Sequence, residues 1–138
     1  MESKLVDQYN DGVKKGIYKT SKEVVVETYK PKVKAELTDI EKAVELIVKS
    51  KKPIIYSGGG VINAGTKASD ALTEFTRITN FPITSTLQGL GAFPGSDPQF
   101  VGMLGMHGTY EANNAMHECD LMINIGARFD DRITGRVD

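Results

Sequence analysis

The 138-residue chain has no tryptophan, a single cysteine and no excess of charge of either sign. One thiol, Cys119, excludes an internal disulfide framework and suits a reducing compartment. A formal charge of −1, with only five tyrosines and five phenylalanines, gives neither the basic footprint nor the stacking platform of a nucleic-acid binder. No apolar run approaches the roughly 20 residues of a membrane helix. The N-terminal MESKLVDQYNDGVKKGIYK also lacks the apolar centre of a signal peptide. We therefore expect a cytoplasmic protein without nucleic-acid or membrane partners.

Self-contained chemistry is missing as well. His107 and His117 stand ten residues apart, without metal-ligand spacing. Asp130 and Asp131 are adjacent, so their carboxylates point apart, and no third ligand for Mg²⁺ is evident. No serine sits in a G-x-S-x-G frame, and Cys119 reads as a small buried hydrophobe. The expectation is no metal site and no catalytic residue.

What remains is an ordinary globular composition, 40% hydrophobic and 25% charged, of single-domain length. Residues 1–20 read as a short helix or loose tail. Glu23–Tyr29 is β-branched, an edge strand or lead-in because of Pro31, and Lys30–Glu36 is a charged linker. We place a tail and linker at 1–37 and a domain at 38–138. Thr38-Asp39-Ile40-Glu41 is a capping box, and Ile40, Ala43, Val44 and Ile47 form the inward face of a helix running to about Ser50. Pro53–Ser57 is a continuous apolar run, typical of a parallel strand covered on both faces. A helix over Lys67–Thr79 follows, with Ala68, Ala71, Leu72, Phe75 and Ile78 inward and Asn80 as its stop. Pro82–Thr86 is a second buried strand, left by the glycine-rich loop Gln88–Pro94. The stretch from Gly102 to Asp131 organises the rest: a loop, a helix over Thr109–His117, a buried strand Leu121–Ile125 and a second glycine-led loop. Ala112, Ala115 and Met116 face inward on that helix. Strands alternating with helices imply α/β architecture, a Rossmann-like open parallel sheet with right-handed crossovers and helices on both faces. The glycine loops all follow strands and should gather at its carboxyl edge.

Each loop has two readings. Gly58-Gly59-Gly60 either cradles a phosphate or flavin through its amides, or makes a tight strand-to-helix turn with positive φ. GxGxxG spacing is absent, because Gly65 falls too late, which disfavours a dinucleotide site of the NAD type. Arg128-Phe129-Asp130-Asp131-Arg132 either meets a pyrophosphate and ribose or is a solvated turn with internal ion pairs. Met106-His107-Gly108 either lies against a planar ring or is simply a turn.

The run KPIIYSGGGV at 52–61 resembles the start of the central domain of the acetolactate synthase (acetohydroxyacid synthase) large-subunit family. So do QGLGAFP at 88–94, GMLGMHGTYEANNAMHECDL at 102–121 and GARFDDRITG at 126–135. The similarity is close from about Thr38 to Asp138, and residues 20–37 resemble the linker entering that domain. The resemblance implies a DHS-like FAD-binding central domain. The family enzymes use thiamine diphosphate and Mg²⁺ to join pyruvate to a second 2-keto acid in branched-chain amino-acid biosynthesis. FAD would then lie across the strand ends. It would be approached by Gly58, Gly59, Gly60, Thr86, Leu87 and Gln88, lined by Leu104, Met106, His107 and Gly108, and closed by Gly126, Ala127, Arg128, Asp130 and Arg132. Met106, Asp131 and Arg132 would also border the substrate channel. The family's catalytic glutamate and its diphosphate- and Mg²⁺-binding motif have no counterpart in this sequence, and the central domain itself looks truncated, leaving an open sheet edge. The expectation is a fragment that is not catalytic alone. Its expected partners are FAD, the thiamine-binding domains of the parent chain, a homodimer mate and a regulatory small subunit. The alternatives are a noncatalytic structural or subunit-interaction module, or the central domain of a related thiamine-diphosphate enzyme, against which GARFDDRITG argues.

Overall fold

A computed structural model describes residues 37–134 of the chain. The expectations for 1–20, Glu23–Tyr29 and Lys30–Glu36 lie outside the described residues, as do the last four positions. The described residues fall in the unit Thr38–Asp138, apart from Leu37, where its first helix begins.

The chain runs α1 (Leu37–Lys49), β1 (Pro53–Ser57), α2 (Gly59–Ala64), α3 (Thr66–Thr79) and β2 (Ile83–Ser85). A 3-10 turn (Leu87–Gly89) precedes β3 (Phe100–Met103), α4 (Tyr110–Glu118), β4 (Leu121–Ile125) and the one-turn helix α5 (Asp131–Thr134). The described strands form one sheet in the order β3-β2-β1-β4, all parallel. The α/β parallel-sheet expectation therefore holds.

β1 is central because it is apolar on both faces: Ile54, Ile55 and Tyr56 are essentially fully buried. Ile55 joins Val61, Leu72, Ile83 and Phe93 in the core on one face. Ile54 and Tyr56 alternate to the other face. The chain moves from β1 to β2 to β3 in one direction across the sheet, then returns past both to place β4 on the far side of β1. Right-handed crossovers in opposite directions put α3 and α4 on opposite faces, which is why a strand without polar alternation can sit at the centre.

At the amino edge, the Asp120 carboxylate accepts from the backbone N–H groups of Lys51 and Lys52 at 2.7 and 2.9 Å. This ties the start of β4 to the start of β1. The backbone bonds hold the Asp120 carboxyl below its usual range. Lys52 also meets Glu118 at 2.7 Å, an exposed pair that raises the lysine and lowers the glutamate.

Several expectations are corrected. β3 overlaps the start of the loop expected from Gly102 and adds Phe100 and Val101, which the sequence reading assigns to no element. Its FVGM sequence is short and carries a glycine, so nothing in its pattern marks a strand. Between Ile83↔Phe100 and Ser85↔Met103 the register slips, with Gly102 at φ 98° inside the irregularity. Thr84 and Thr109 secure that stretch by donating hydroxyls to the carbonyls of Gly102 and Val101, each at 2.8 Å. β4 is not a buried strand but a half-buried one at the sheet edge among the described residues. On α3 the buried stripe is Leu72 and Thr76; Ala71 is exposed and Ile78 is 76% exposed. Thr76 is accommodated because its hydroxyl donates to the Leu72 carbonyl at 2.8 Å. Asn80 does end the helix, in the left-handed region at φ 55°. α1 begins at Leu37, which places Thr38 inside its first turn rather than at its cap. Its apolar stripe is real, but Ile40 and Val44 are about half exposed and only Ile47 is half-buried. Periodicity finds the stripe without finding what covers it.

Candidate functional site

The strand order reverses between β1 and β4, so the connections leaving their carboxyl ends diverge there. In an open parallel sheet such a switch point is where a crevice forms. Gly58 and Gly60 at the end of β1 lie against Gly126 and Ala127 at the end of β4. The N–H groups of Gly58 and Gly60 donate to the carbonyls of Ile125 and Gly126 at 3.0 and 2.9 Å. A Cβ on Gly60 would stand 2.8 Å from the Gly126 Cα, and one on Gly58 would run into Gly126 and Ala127. None of the three glycines has positive φ. They are therefore needed for close approach, and what approaches most closely is the neighbouring loop. Gly126 supplies the left-handed turn, at φ 67°.

The carboxyl-edge loops line a cleft of about 760 Å³, a size suited to a small ligand or cofactor. Gly59 and Gly60 form one side of it. Thr86 caps the 3-10 turn, its hydroxyl accepting from the Gly89 N–H at 2.9 Å, and thereby sets Leu87 and Gln88 at the cleft. Leu104 is buried at the floor, while Met106, 62% exposed, and His107 project from the loop after β3. Gly126, Ala127, Arg128, Asp130 and Arg132 complete the lining.

Of the expected site residues, Gly58 and Gly108 do not line the cleft. Gly58 lies beneath the β4 turn, and Gly108 packs against the Met103 and Leu104 backbone, where a Cβ has no room. Ile62, Asn63, Met103 and Ile133 do line it and were not foreseen. The first two belong to a short helix hidden by the glycine triplet. Met103 ends β3 and Ile133 lies inside α5, two elements the pattern did not mark.

The charged segment combines both of its readings. Arg128 pairs with Asp130 at 3.7 Å and Arg132 with Asp131 at 3.4 Å, contacts that contribute little because the arginines are largely solvated. Asp130 also opens α5: its carboxylate accepts from the Arg132 N–H at 3.1 Å, and its carbonyl from the Thr134 N–H at 3.0 Å. Arg128, Asp130 and Arg132 nonetheless line the cleft, whereas Asp131 does not. Beneath the segment, the Tyr56 ring lies 5.4 Å from the Phe129 ring. Tyr56 is fully buried, and its hydroxyl has no hydrogen-bond partner among the described residues. Burial, followed by the nearby Asp130 charge, pushes its pKa up to about 12.

Cys119 is half-buried rather than buried and sits at the opposite, amino edge, its thiol donating to the Met116 carbonyl at 3.1 Å. Burial pushes that thiol up, away from reactivity. Among the described residues no three His, Cys, Asp or Glu side chains gather as a metal site would need, and no helix is long and apolar enough to cross a membrane. The cleft thus offers an apolar floor, a wall formed by glycine backbone and a rim that carries Arg128, Asp130 and Arg132.

A family model described as the thiamine pyrophosphate enzyme central domain matches residues 40–138. The chain is 48% identical over 121 residues to the acetolactate synthase large subunit of Haemophilus influenzae, covering 88% of this chain and 21% of that protein. It is 52% identical over 99 residues to the acetolactate synthase isozyme 2 large subunit of Escherichia coli, covering 72% and 18% respectively. A probable acetolactate synthase large subunit of Methanocaldococcus jannaschii is 47% identical over 109 residues, covering 79% and 18%. The chain spans about a fifth of the length of these relatives. With the matched region covering the whole sheet and its carboxyl-edge loops, the chain belongs to the thiamine pyrophosphate enzyme central-domain family.

Proposed function

We propose that the cleft binds FAD, as the central domain of an acetolactate synthase large subunit. The parent enzyme, in this reading, joins pyruvate to a second 2-keto acid in branched-chain amino-acid biosynthesis, with thiamine diphosphate and Mg²⁺ held by its other domains. The observation that carries the reading is the convergence, at one switch point, of loops from every described strand on an apolar cleft with arginines at its rim. The residues present fit the cofactor. Leu87, Leu104 and Met106 offer apolar surface for a planar ring. Gly59 and Gly60 leave the wall free of side chains, and Arg128 and Arg132 suit a pyrophosphate by charge and by donor geometry. Bound there, FAD acts as a structural cofactor and takes no part in the net reaction. This chain's residues bind and orient it. The remaining domains, a homodimer mate and a regulatory small subunit are the partners this reading assigns.

The test is a titration of the 138-residue chain with FAD, followed by flavin fluorescence polarisation. Saturable binding is expected, weakened about tenfold by Arg128→Ala, the size of one lost charge-assisted contact. Because the Arg128 side chain is 88% exposed, that substitution should leave the melting temperature unchanged. A cooperatively folded wild-type chain that shows no saturable binding overturns the reading and leaves a cofactor-free module.

A further inference from the structure

Two asparagines that do not line the cleft hold its loops by the same device. Asn113, on α4, reaches Gly105: its Oδ1 accepts from the Gly105 N–H at 3.1 Å and its Nδ2 donates to the Gly105 carbonyl at 3.0 Å. The same Nδ2 also donates to the Thr109 carbonyl at 3.0 Å. Asn124, on β4, does likewise with Ala127: Oδ1 accepts from the Ala127 N–H at 3.2 Å and Nδ2 donates to the Ala127 carbonyl at 3.0 Å. In each case one side-chain amide engages both backbone groups of a single loop residue, as a neighbouring strand would. The orientation of each amide follows from the pairing itself, since an N–H needs the oxygen and a carbonyl needs the NH₂.

Both loops leave regular structure through left-handed glycines, Gly105 at φ 106° and Gly126 at φ 67°. No ladder continues there: the Gly105 carbonyl also accepts from the Gly108 N–H at 2.9 Å, but the Gly105 N–H and both Ala127 groups have no backbone partner among the described residues. The next residues along, Met106 and His107 on one loop and Arg128 on the other, line the cleft, as Gly126 and Ala127 do. We propose that Asn113 and Asn124 are the positioning residues of this cleft, fixing the two loops that present Met106, His107 and Arg128 to the bound dinucleotide. The proposal rests on the reading of the cleft as an FAD site.

Replacement by aspartate isolates the device. Asn113→Asp and Asn124→Asp keep size and acceptor but remove every donated bond and set a carboxylate oxygen against a backbone carbonyl. Asn113→Asp loses two donated bonds and Asn124→Asp one. The FAD dissociation constant should rise roughly tenfold for each, more for Asn113→Asp, and the visible circular dichroism of the bound flavin should change. Leu72→Ala is the control: Leu72 is 3% exposed in the core on α3, away from the cleft. It should lower the melting temperature more than either aspartate while leaving flavin affinity and dichroism as in wild type, measured where it is folded. Wild-type affinity and dichroism in both aspartate variants would overturn the proposal alone. Equal loss of affinity in Leu72→Ala would also overturn it, since general destabilisation would then account for the effect. Failure of the wild-type chain to bind FAD would instead overturn the reading of the cleft, and the proposal with it.

Discussion

The backbone N–H of Met106 donates to the carbonyl of Arg132 at 2.8 Å, joining the loop after β3 to the start of α5. Gly105 makes the contact achievable. A Cβ there would stand 2.7 Å from the Arg132 carbonyl oxygen and 2.8 Å from Ile133 Cδ1, and its φ of 106° is one that other residues rarely adopt. Gly105→Ala should therefore destabilise the domain by about 2–3 kcal/mol, combining backbone strain with overpacking. For a unit of this size that is a fall of roughly 10 °C or more in Tm, read by calorimetry. An unchanged Tm would mean that the two loops are not joined in solution.

Some glycines are pressed on by another backbone, and others stand in open space. Gly60→Ala adds a Cβ 2.8 Å from the Gly126 Cα and 2.9 Å from its oxygen. The helix-propensity gain of about 1 kcal/mol does not offset a clash with backbone that cannot rotate away. A net loss of about 1–2 kcal/mol is expected. Gly95, which has nothing within 4 Å of its would-be Cβ, should tolerate alanine within about 0.5 kcal/mol. Urea unfolding of the two variants side by side decides the matter; equal midpoints would sink the close-approach account of the switch point.

Tyr56 gives the domain an alkaline limit. Its folded pKa, raised to about 12 from a usual value of 10.0, means that folding favours the neutral phenol. That contribution is whole below about pH 10 and is lost as pH rises towards 12. Tyr56→Phe keeps the ring against Phe129 and removes a buried hydroxyl without a partner among the described residues. It should be neutral or up to about 1 kcal/mol stabilising at pH 7. Its melting temperature should then fall less steeply than that of wild type between pH 10 and 12. Parallel curves would show that the phenol does not titrate from a buried site.

Asp120 sets the opposite limit. The Lys51 and Lys52 N–H groups hold its carboxyl below the usual range, so its contribution is present above the unfolded pKa of about 3.9 and disappears as pH falls through the folded value. Asp120→Ala should lower the melting temperature at pH 7 and flatten its decline as pH falls below about 4. A variant whose acid curve is superimposable on that of wild type would remove this tie between β1 and β4 from the stability account.

Local pattern carried much of this molecule. Ile54, Ile55 and Tyr56 marked a doubly covered strand, Leu121–Ile125 a strand though not its half-buried state, and Leu72 and Phe75 a helix between sheet and solvent, because burial on one or two faces leaves a period in the sequence. The alternation of such segments was enough to give a parallel α/β sheet with its glycine loops at one edge. Residue types in those loops singled out Gly59, Gly60, Met106, His107, Arg128, Asp130 and Arg132 of the cleft lining, and the family resemblance, not composition, added Thr86, Leu87, Gln88, Leu104, Gly126 and Ala127. What the chain could not encode locally was partnership. β3 exists because Ile83 and Ser85 need a neighbour, not because FVGM prefers to be extended. Among the described residues β4 lies at an edge because the return crossover passes β2 and β3 and stops beside β1. Gly58 and Gly60 serve a close approach set by Gly126 and Ala127, more than 60 residues away. Asn113 and Asn124 look like ordinary polar residues until the fold brings each amide to one backbone residue of a cleft loop. The sequence alone determined which segments are apolar, where the chain can turn and which side chains can carry charge. Only the tertiary structure decided which backbones touch and which hydrogen bonds close, because those depend on distances between residues that the chain itself keeps apart.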